Sequence, residues 1–391
     1  MTAPVGVDPF RNHLPVRIIF GDNVSHQLAD VMAGIAADRA LLVIDAGLMG
    51  FSPAVADAVS RLRSSGVDLA IHEKPPGEPT IAMVDEAIAA VTATGPAAII
   101  AIGGGSVIDT AKAARLCAQQ GTDFRGFLAS DRSYPEPVIP LIALPTTAGT
   151  GSEVSGGAVI MDPENGTKSG IAHPLLRAQF ALVDPVLTYT TPAMTTAFAG
   201  VDALAQAIAA TIALPRTPIG DGIAFEAIRR ISRSLVPAYR NGSDARARSD
   251  MACGSMMAGL AMNISDCTAE HSLGQAIGGM FHAAHGLTVG LVLVEVLQRE
   301  AAHVPEQLDR VADAMQAPPG PADGTRAIQA VQQILNELDF PLMSSLGVQE
   351  SDVEELTRLA MEDFFITQAP VPWTADEVHT AFRAALALES R

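Results

Sequence analysis

Two groups of residues have the types and spacing for chemistry, and the first lies late in the chain. In Gly200-Val201-Asp202-Ala203-Leu204-Ala205-Gln206, Asp202 and Gln206 stand four residues apart and share one helix face. Further on come His271, Gln275, His282 and His285. A carboxylate with two imidazoles suits Zn²⁺ or Fe²⁺ and leaves a coordination position for a substrate. The spacing sets a condition. On one straight helix His271 and His285 would lie roughly 21 Å apart. Both reach one ion only if the chain breaks between them, and Gly278-Gly279 is the expected break. Without it these are histidines scattered over helix surfaces.

The second group is the stretch Ala101-Ile102-Gly103-Gly104-Gly105-Ser106-Val107-Ile108-Asp109-Thr110-Ala111-Lys112. An apolar run, a glycine turn and a helix start make an anion site, because backbone N–H groups and the helix dipole point at the same place. The glycines are expected to turn the backbone sharply, and Ser106 to cap the helix. The alternative is a tight turn that binds nothing. Pro145 to Ser155 (PTTAGTGSEVS) follows another apolar run and carries three threonines and two serines. Small hydroxyls on a loop at a strand's end suit ligand contacts. Asp45 ends a buried run; a carboxylate there can accept from a ribose hydroxyl and repel a 2′-phosphate, or simply cap a turn.

The elements that must position these residues follow from periodicity. Short apolar runs at Val16–Phe20, Ala40–Asp45, Asp68–Ile71, Ala97–Ile102, Val159–Met161 and Phe180–Asp184 read as strands, alternating with helices at Val24–Ala36, Phe51–Ser65 and Ile81–Thr94. Val138–Leu144 contains Pro140 and is expected to be an edge or irregular strand. That pattern is a parallel α/β sheet, whose carboxyl ends bind ligands. From Pro192 onward only helical periodicity remains. The expected organisation is an α/β domain over residues 1–185 and an all-helical domain over 186–391, with Pro318–Pro321 a helix connection.

Composition narrows the classes. With 48% apolar and 17% charged residues, the 391-residue chain can bury real cores. A net charge of −18 argues against nucleic-acid backbone binding. The odd, unmotifed set Cys117, Cys253 and Cys267 fits a reducing compartment. Met1–Val5 lacks a basic, apolar leader, and no apolar run reaches the length of a membrane span, so a cytoplasmic protein without membrane partners is expected.

Taken together, GGGSVIDTAK (103–112), PTTAGTGSEVS (145–155), Val183-Asp184-Pro185, Gly200–Leu204 and His271 through His285-Gly286 resemble the iron-activated (group III) alcohol dehydrogenases, in order and spacing from about residue 15 to 300. The resemblance implies a Rossmann-like dinucleotide domain and a helical metal and substrate domain, in a dehydroquinate synthase-like architecture, with the cofactor and metal in the cleft between them. By motif position, Gly103, Gly104, Gly105 and Ser106 would hold the pyrophosphate. Asp109, Thr146, Thr147, Thr150 and Lys168 would contact the rest of the cofactor, and Asp45 would favour NAD over NADP. Asp202, Gln206, His271 and His285 would be the metal positions for Fe²⁺ or Zn²⁺. A homodimer through Val16–Phe20 is implied as well.

Two departures from the family stand out. Gln206 replaces a histidine ligand, and Gln275 replaces a histidine that can relay a proton; His282 is a substitute candidate, alongside His271 and His285 as oxyanion donors. The expected reaction is metal-assisted hydride transfer between NAD(H) and an alcohol or its aldehyde or ketone. The alternatives are a metal-independent reductase resembling maleylacetate reductases, a synthase resembling 3-dehydroquinate synthase, and a non-catalytic NAD-binding protein. Gly156 and Gly157 leave room beside the cleft, and Met262 and residues 364–373 (FFITQAPVPW) are lining candidates. Trp373 is read as core, and His173 and Arg177 as surface.

Overall fold

The computed structural model describes residues 9–130, 138–165 and 167–387; the leader reading at Met1–Val5 lies outside them. Among the described residues eight strands are formed: β1 Arg17–Phe20, β2 Arg39–Asp45, β3 Asp68–Lys74, β4 Ala98–Gly103, β5 Leu141–Pro145, β6 Gly157–Asp162, β7 Thr167–Ala172 and β8 Phe180–Val183. Six pair in parallel in the order β1-β8-β5-β4-β2-β3, and β6 and β7 form an antiparallel hairpin. Strands buried on both faces need unbroken apolar runs. Leu42, Ile44, Ile100 and Ile102 therefore pack on one side with Leu28, Met32, Val55 and Leu62. Leu41, Val43, Ile99 and Ala101 pack on the other with Val91, Val107, Ile108 and Ala111.

Three expectations are corrected. β5 is an interior strand, flanked by β4 and β8, not an edge. Pro140 sits one residue before it, where its missing N–H is not needed while its carbonyl accepts from Ile99 N at 2.8 Å. The stretch Phe51–Ser65 is cut at Ser52, the N-cap of the helix Pro53–Ser64, after a single turn at Leu48–Phe51. Finally, β7 (Thr167–Ala172) was not expected, because its composition is too polar and Gly-broken to read as a strand.

After β8 the described chain is helical. Ala193–Ile212, Pro218–Arg240 and Ala245–Ser265 pack together around a core that includes Val201, Leu204, Ile208, Ile231, Leu235 and Met251. The helix Ala193–Ile212 is long and apolar enough to cross a membrane, but 83% of its apolar window is buried inside the fold, which makes it a core helix. Pro318–Pro321 links the helices Pro305–Ala314 and Thr325–Glu337.

The helical part meets the sheet through glycines. Gly151, at φ +60°, lies against Gly259 of the helix Ala245–Ser265. A Cβ on Gly151 would stand 2.4 Å from the Gly259 Cα, so neither position admits a side chain. Gly149 packs as closely on Ala199. These contacts pull the Pro145–Ser155 loop onto two helices and form a cleft at the carboxyl ends of the strands.

Trp373, the sole tryptophan, is buried in the core. Its Nε1 donates to Glu300 Oε1 at 2.7 Å, and the Arg299 guanidinium lies 4.7 Å over its ring. Burial pushes the Glu300 carboxyl up to about 7 despite these partners. A carboxyl raised in the folded state favours the acid side. Its contribution is complete below the unfolded value of about 4.5 and is lost as pH rises to 7, with a slope on the order of 1 kcal/mol per pH unit. Urea denaturation between pH 5 and 8 is expected to show that slope, with the tryptophan emission titrating near 7. Both features should disappear in Glu300→Gln.

Candidate active site

The glycine turn follows β4. Gly104 is the N-cap of the helix Gly105–Gln120, two residues earlier than expected, so Ser106 lies inside the first turn and is not the cap. None of the three glycines takes a positive φ. They are required by close packing instead: a Cβ on Gly103 would stand 2.5 Å from Val107 Cγ2, and one on Gly105 would stand 2.6 Å from the Thr150 side chain. Thr146 N donates to Gly103 O at 3.0 Å, and Thr147 Oγ1 would lie 3.4 Å from a Cβ on Gly104. The hydroxyl loop thus wraps the helix N-terminus, where first-turn N–H groups lack intrahelical partners and favour an anion.

Beneath that loop is a buried lysine. Lys112 Nζ donates to Ser152 Oγ (2.8 Å), Ser155 Oγ (3.4 Å) and Gly157 O (2.7 Å). Burial lowers it to about 8, against the pull of Asp109. Asp109 accepts from Ser152 Oγ at 2.5 Å and from Val159 N at 3.0 Å, so both its oxygens are used in holding the loop and β6.

Asp45, at the carboxyl end of β2, lies 3.6 Å from Lys74 at the corresponding end of β3. Burial raises the Asp45 carboxyl, while Lys74 and the Gly104 N–H pull the other way. Lys168 on β7 is buried and pairs with Glu78 at 3.3 Å. Glu78 also accepts from His285 N at 3.4 Å, joining the strand-end loop to the histidine helix.

The metal positions converge. The break between His271 and His285 comes at His282, which ends the helix Ala269–Phe281 in a left-handed conformation (φ 51°, ψ 34°). A new helix, His285–Ala301, begins three residues later. Gly278-Gly279 lies inside the first of these helices, so the expected break there is corrected; Gly278 instead makes room for Lys168 Nζ, 3.1 Å from where a Cβ would be. The turn brings the two imidazole centroids to 5.3 Å. Asp202 Oδ1 lies 3.5 Å from His271 Nε2 and 3.5 Å from His285 Nε2. Gly286 allows this approach, since a Cβ there would stand 2.2 Å from Phe198 O.

Gln206 Nε2 donates to Asp202 Oδ2 at 3.0 Å, which leaves Gln206 Oε1 facing the cleft. Asp202 Oδ1, Gln206 Oε1 and His271 Nε2 are all buried without a hydrogen-bond partner. Three orphaned polar atoms beside a fourth nitrogen are unfavourable together unless a proton or a cation joins them. Ligand atoms of Asp202, His271 and His285 lie within 4.8 Å of one another. The residues present therefore fit a divalent metal ion.

Electrostatics agree with that use at Asp202 and His285; at His271 burial pulls the imidazole down but Cys267, Asp202 and Glu270 raise it well above its ordinary range, so a cation bound here displaces its proton. Burial alone would raise Asp202, but His285, His271 and Gln206 hold its carboxyl below the ordinary range. Burial pulls His285 down to about 4, leaving its Nε2 lone pair free near neutral pH. Glu270, absent from the sequence expectations, accepts from His271 Nδ1 at 2.8 Å. It also takes Thr268 N at 3.1 Å and the Thr268 hydroxyl. Its place immediately before a candidate ligand was the available signal. Glu78, in the loop after β3, was missed too, although strand ends are where ligands bind.

His282 is exposed and lines neither of the cavities around these residues, so the expected catalytic role for it is corrected: it is the residue that turns the chain. Gln275 faces the cleft one turn after His271. Gly105, Ser106, Thr150, Lys168, Gln206, His271 and His285 all line one cavity. A larger one, about 740 Å³, adjoins it and is lined in part by Gly156, Gly157, Met262, Phe364 and Phe365. His173 and Arg177, read as surface, also stand on its wall, while Trp373 does not.

Comparison with known proteins adds the family. The family model for iron-containing alcohol dehydrogenase matches residues 15–185, and that for the C-terminal part of the Fe-containing alcohol dehydrogenase family matches residues 196–386. The chain is 32% identical over 386 residues to the NAD-dependent methanol dehydrogenase of Bacillus methanolicus, covering 95% of this chain and 99% of that one. It is 31% identical to the choline dehydrogenase of Bacillus subtilis, covering 90% and 88%. A solved 1,3-propanediol oxidoreductase superposes with a TM-score of 0.92 at 28% identity, covering 97% and 100%. Matched in order over both its halves, this chain belongs to the iron-containing alcohol dehydrogenase family.

Proposed function

We propose that this chain is an NAD(H)-dependent dehydrogenase that interconverts an alcohol and its aldehyde or ketone in the cleft between an α/β domain (1–185) and a helical domain (186–391). One observation carries the reading: three unpartnered buried polar atoms, Asp202 Oδ1, Gln206 Oε1 and His271 Nε2, meet beside His285 in the cleft that holds the glycine-capped helix. The family and the NAD-dependent relative support it.

In this reading Asp202, His271 and His285, with Gln206 Oε1, hold Fe²⁺ or Zn²⁺. An ion held there would supply Lewis-acid polarisation of the substrate oxygen, and a bound nicotinamide would supply or accept the hydride. The remaining work belongs to the protein. Gly103–Gly105 and Ser106 present first-turn N–H groups to the pyrophosphate. Thr146, Thr147 and Thr150 supply hydroxyls around it. Asp109 and Lys112 clamp the loop that carries those hydroxyls, and Lys168, fixed by Glu78, faces the cofactor from β7. Asp45 accepts from the ribose. Ile18 and Phe20 are exposed on β1, a sheet edge that a second copy can cover, so the enzyme is read as a cytoplasmic homodimer.

The direct test is NADH formation by protein loaded with Fe²⁺ or Zn²⁺ across a panel of alcohols. Turnover is expected, and its absence with both metals and every alcohol would overturn the reading. Cofactor choice gives a second test. Two like charges near 4 Å repel by about 4 kcal/mol at an effective dielectric of 20, and Lys74 offsets part of that at Asp45. Asp45→Ser is expected to raise the NADP-to-NAD ratio of kcat/KM by at least about tenfold, measured by initial rates with each cofactor.

A further inference from the structure

We infer that the substrate of this enzyme has a body much larger than a two- or three-carbon alcohol, and that Gly157 and Gly170 are the specificity-determining positions that admit it. The inference rests on the dehydrogenase reading and names its substrate class: an alcohol or aldehyde with an extended, largely apolar body.

The chamber of about 740 Å³ opens directly onto the catalytic cleft, since Ser155, Gly157, Val159, Lys168, Met262 and Phe365 line both. Pockets of about 300–1,000 Å³ enclose a drug-sized ligand, far more than ethanol needs. The residues assigned to the pyrophosphate, Gly105 and Ser106, line the narrower neighbouring space of about 170 Å³ and not this one. The outer wall carries charge of both signs, Arg177 against Asp266, Glu362 and Asp363, so no single ionic group is selected.

The reason for the room is local. In a hairpin, alternate residues face one side. Gly157 pairs with Ala172 and Val159 with Gly170, so on this face of β6 and β7 the small residues Gly157, Ala172 and Gly170 sit toward one end and Met161 and Lys168 at the other. Gly156 is a glycine by necessity, since a Cβ there would stand 2.9 Å from His173 O. Gly157 and Gly170 are not: neither has a positive φ, a Cβ on Gly157 would meet only Ile171 O at 3.9 Å, and one on Gly170 would meet nothing within 4 Å. Glycine weakens a strand. Two glycines that neither backbone nor packing demands, both on the chamber wall, leave the space to the substrate. Lys112, bonded to Gly157 O at 2.7 Å, keeps that strand end from collapsing into it.

The test is kcat/KM for primary alcohols from ethanol to decanol, with metal-loaded wild type, Gly157→Leu and Gly170→Val. Wild type is expected to gain about threefold to fourfold for each methylene that enters the chamber. Each variant should lower the decanol-to-ethanol ratio by about tenfold or more, with NADH binding showing that the fold is intact. Two variants on different strands keep the result from resting on one that fails to fold. A flat or falling wild-type series, or an unchanged ratio in both variants, overturns the inference while the dehydrogenase reading stands. No turnover with any alcohol overturns both.

Discussion

Replacing Asp202 by Asn is expected to remove the bound metal, lower kcat/KM by about a thousandfold and lower the thermal stability of the metal-free protein. The three outcomes have one cause. Among the described residues Asp202 is the sole anion whose oxygen lies within 3.5 Å of both imidazoles, so it supplies the negative charge that a divalent ion needs at this site. Losing one preorganised electrostatic element costs about 10²–10³ in rate, and losing the ion it anchors costs more. Without metal, the same carboxylate is a buried charge that His285, His271 and Gln206 hold below its ordinary range. Neutralising it leaves those buried partners without their counter-charge, which destabilises the fold. Metal analysis, steady-state kinetics and thermal melts of the apo forms check the three parts. A variant that retains stoichiometric metal would remove Asp202 from the ligand set.

Glu270→Gln is expected to weaken divalent-ion affinity by about 10–100-fold, the usual effect of removing the group behind a histidine ligand. The carboxylate accepts from His271 Nδ1, which fixes the tautomer that presents the Nε2 lone pair and makes the imidazole a stronger donor. In the variant an amide oxygen in the Oε1 position still accepts from Thr268 N and His271 Nδ1, and the amide nitrogen can donate to the Thr268 hydroxyl. Geometry is kept and the charge is lost, so competition with a chelator reads the charge alone. The effect is large here because Gln206 is a weaker ligand than imidazole, leaving more of the affinity to His271. An affinity equal to wild type would make Glu270 a packing group only.

The parts of this site that were legible in the sequence are those set by local chemistry. The run Ala97–Ile102 reads as a buried strand because nothing polar interrupts it, and the strand formed is Ala98–Gly103; a helix after the glycines is legible too, although its cap is Gly104 and not Ser106. Asp202 and Gln206 are placed by helix spacing alone. What stayed hidden depends on tertiary contacts. Gly278-Gly279 reads as a break, yet packing against Lys168 keeps it helical and the chain turns at His282, a residue with no turn signature. Pro140 reads as an edge signal because its distance from the strand start cannot be seen without the pairing of β5 with β4. The reasons for Gly103 and Gly105, contact with Val107 and Thr150 and not positive φ, also require the fold. Glu78 and Glu270 belong to no spacing pattern; only the folded cleft places them beside Lys168 and His271.

The central claim is that Asp202, Gln206, His271 and His285 hold a metal that the reaction uses. Elemental analysis of the purified protein, with NADH formation measured before chelation, after it and after adding metal back, tests that claim most directly. The account predicts one Fe or Zn per chain, loss of turnover on chelation and its return with Fe²⁺ or Zn²⁺. Full turnover after exhaustive chelation would contradict it.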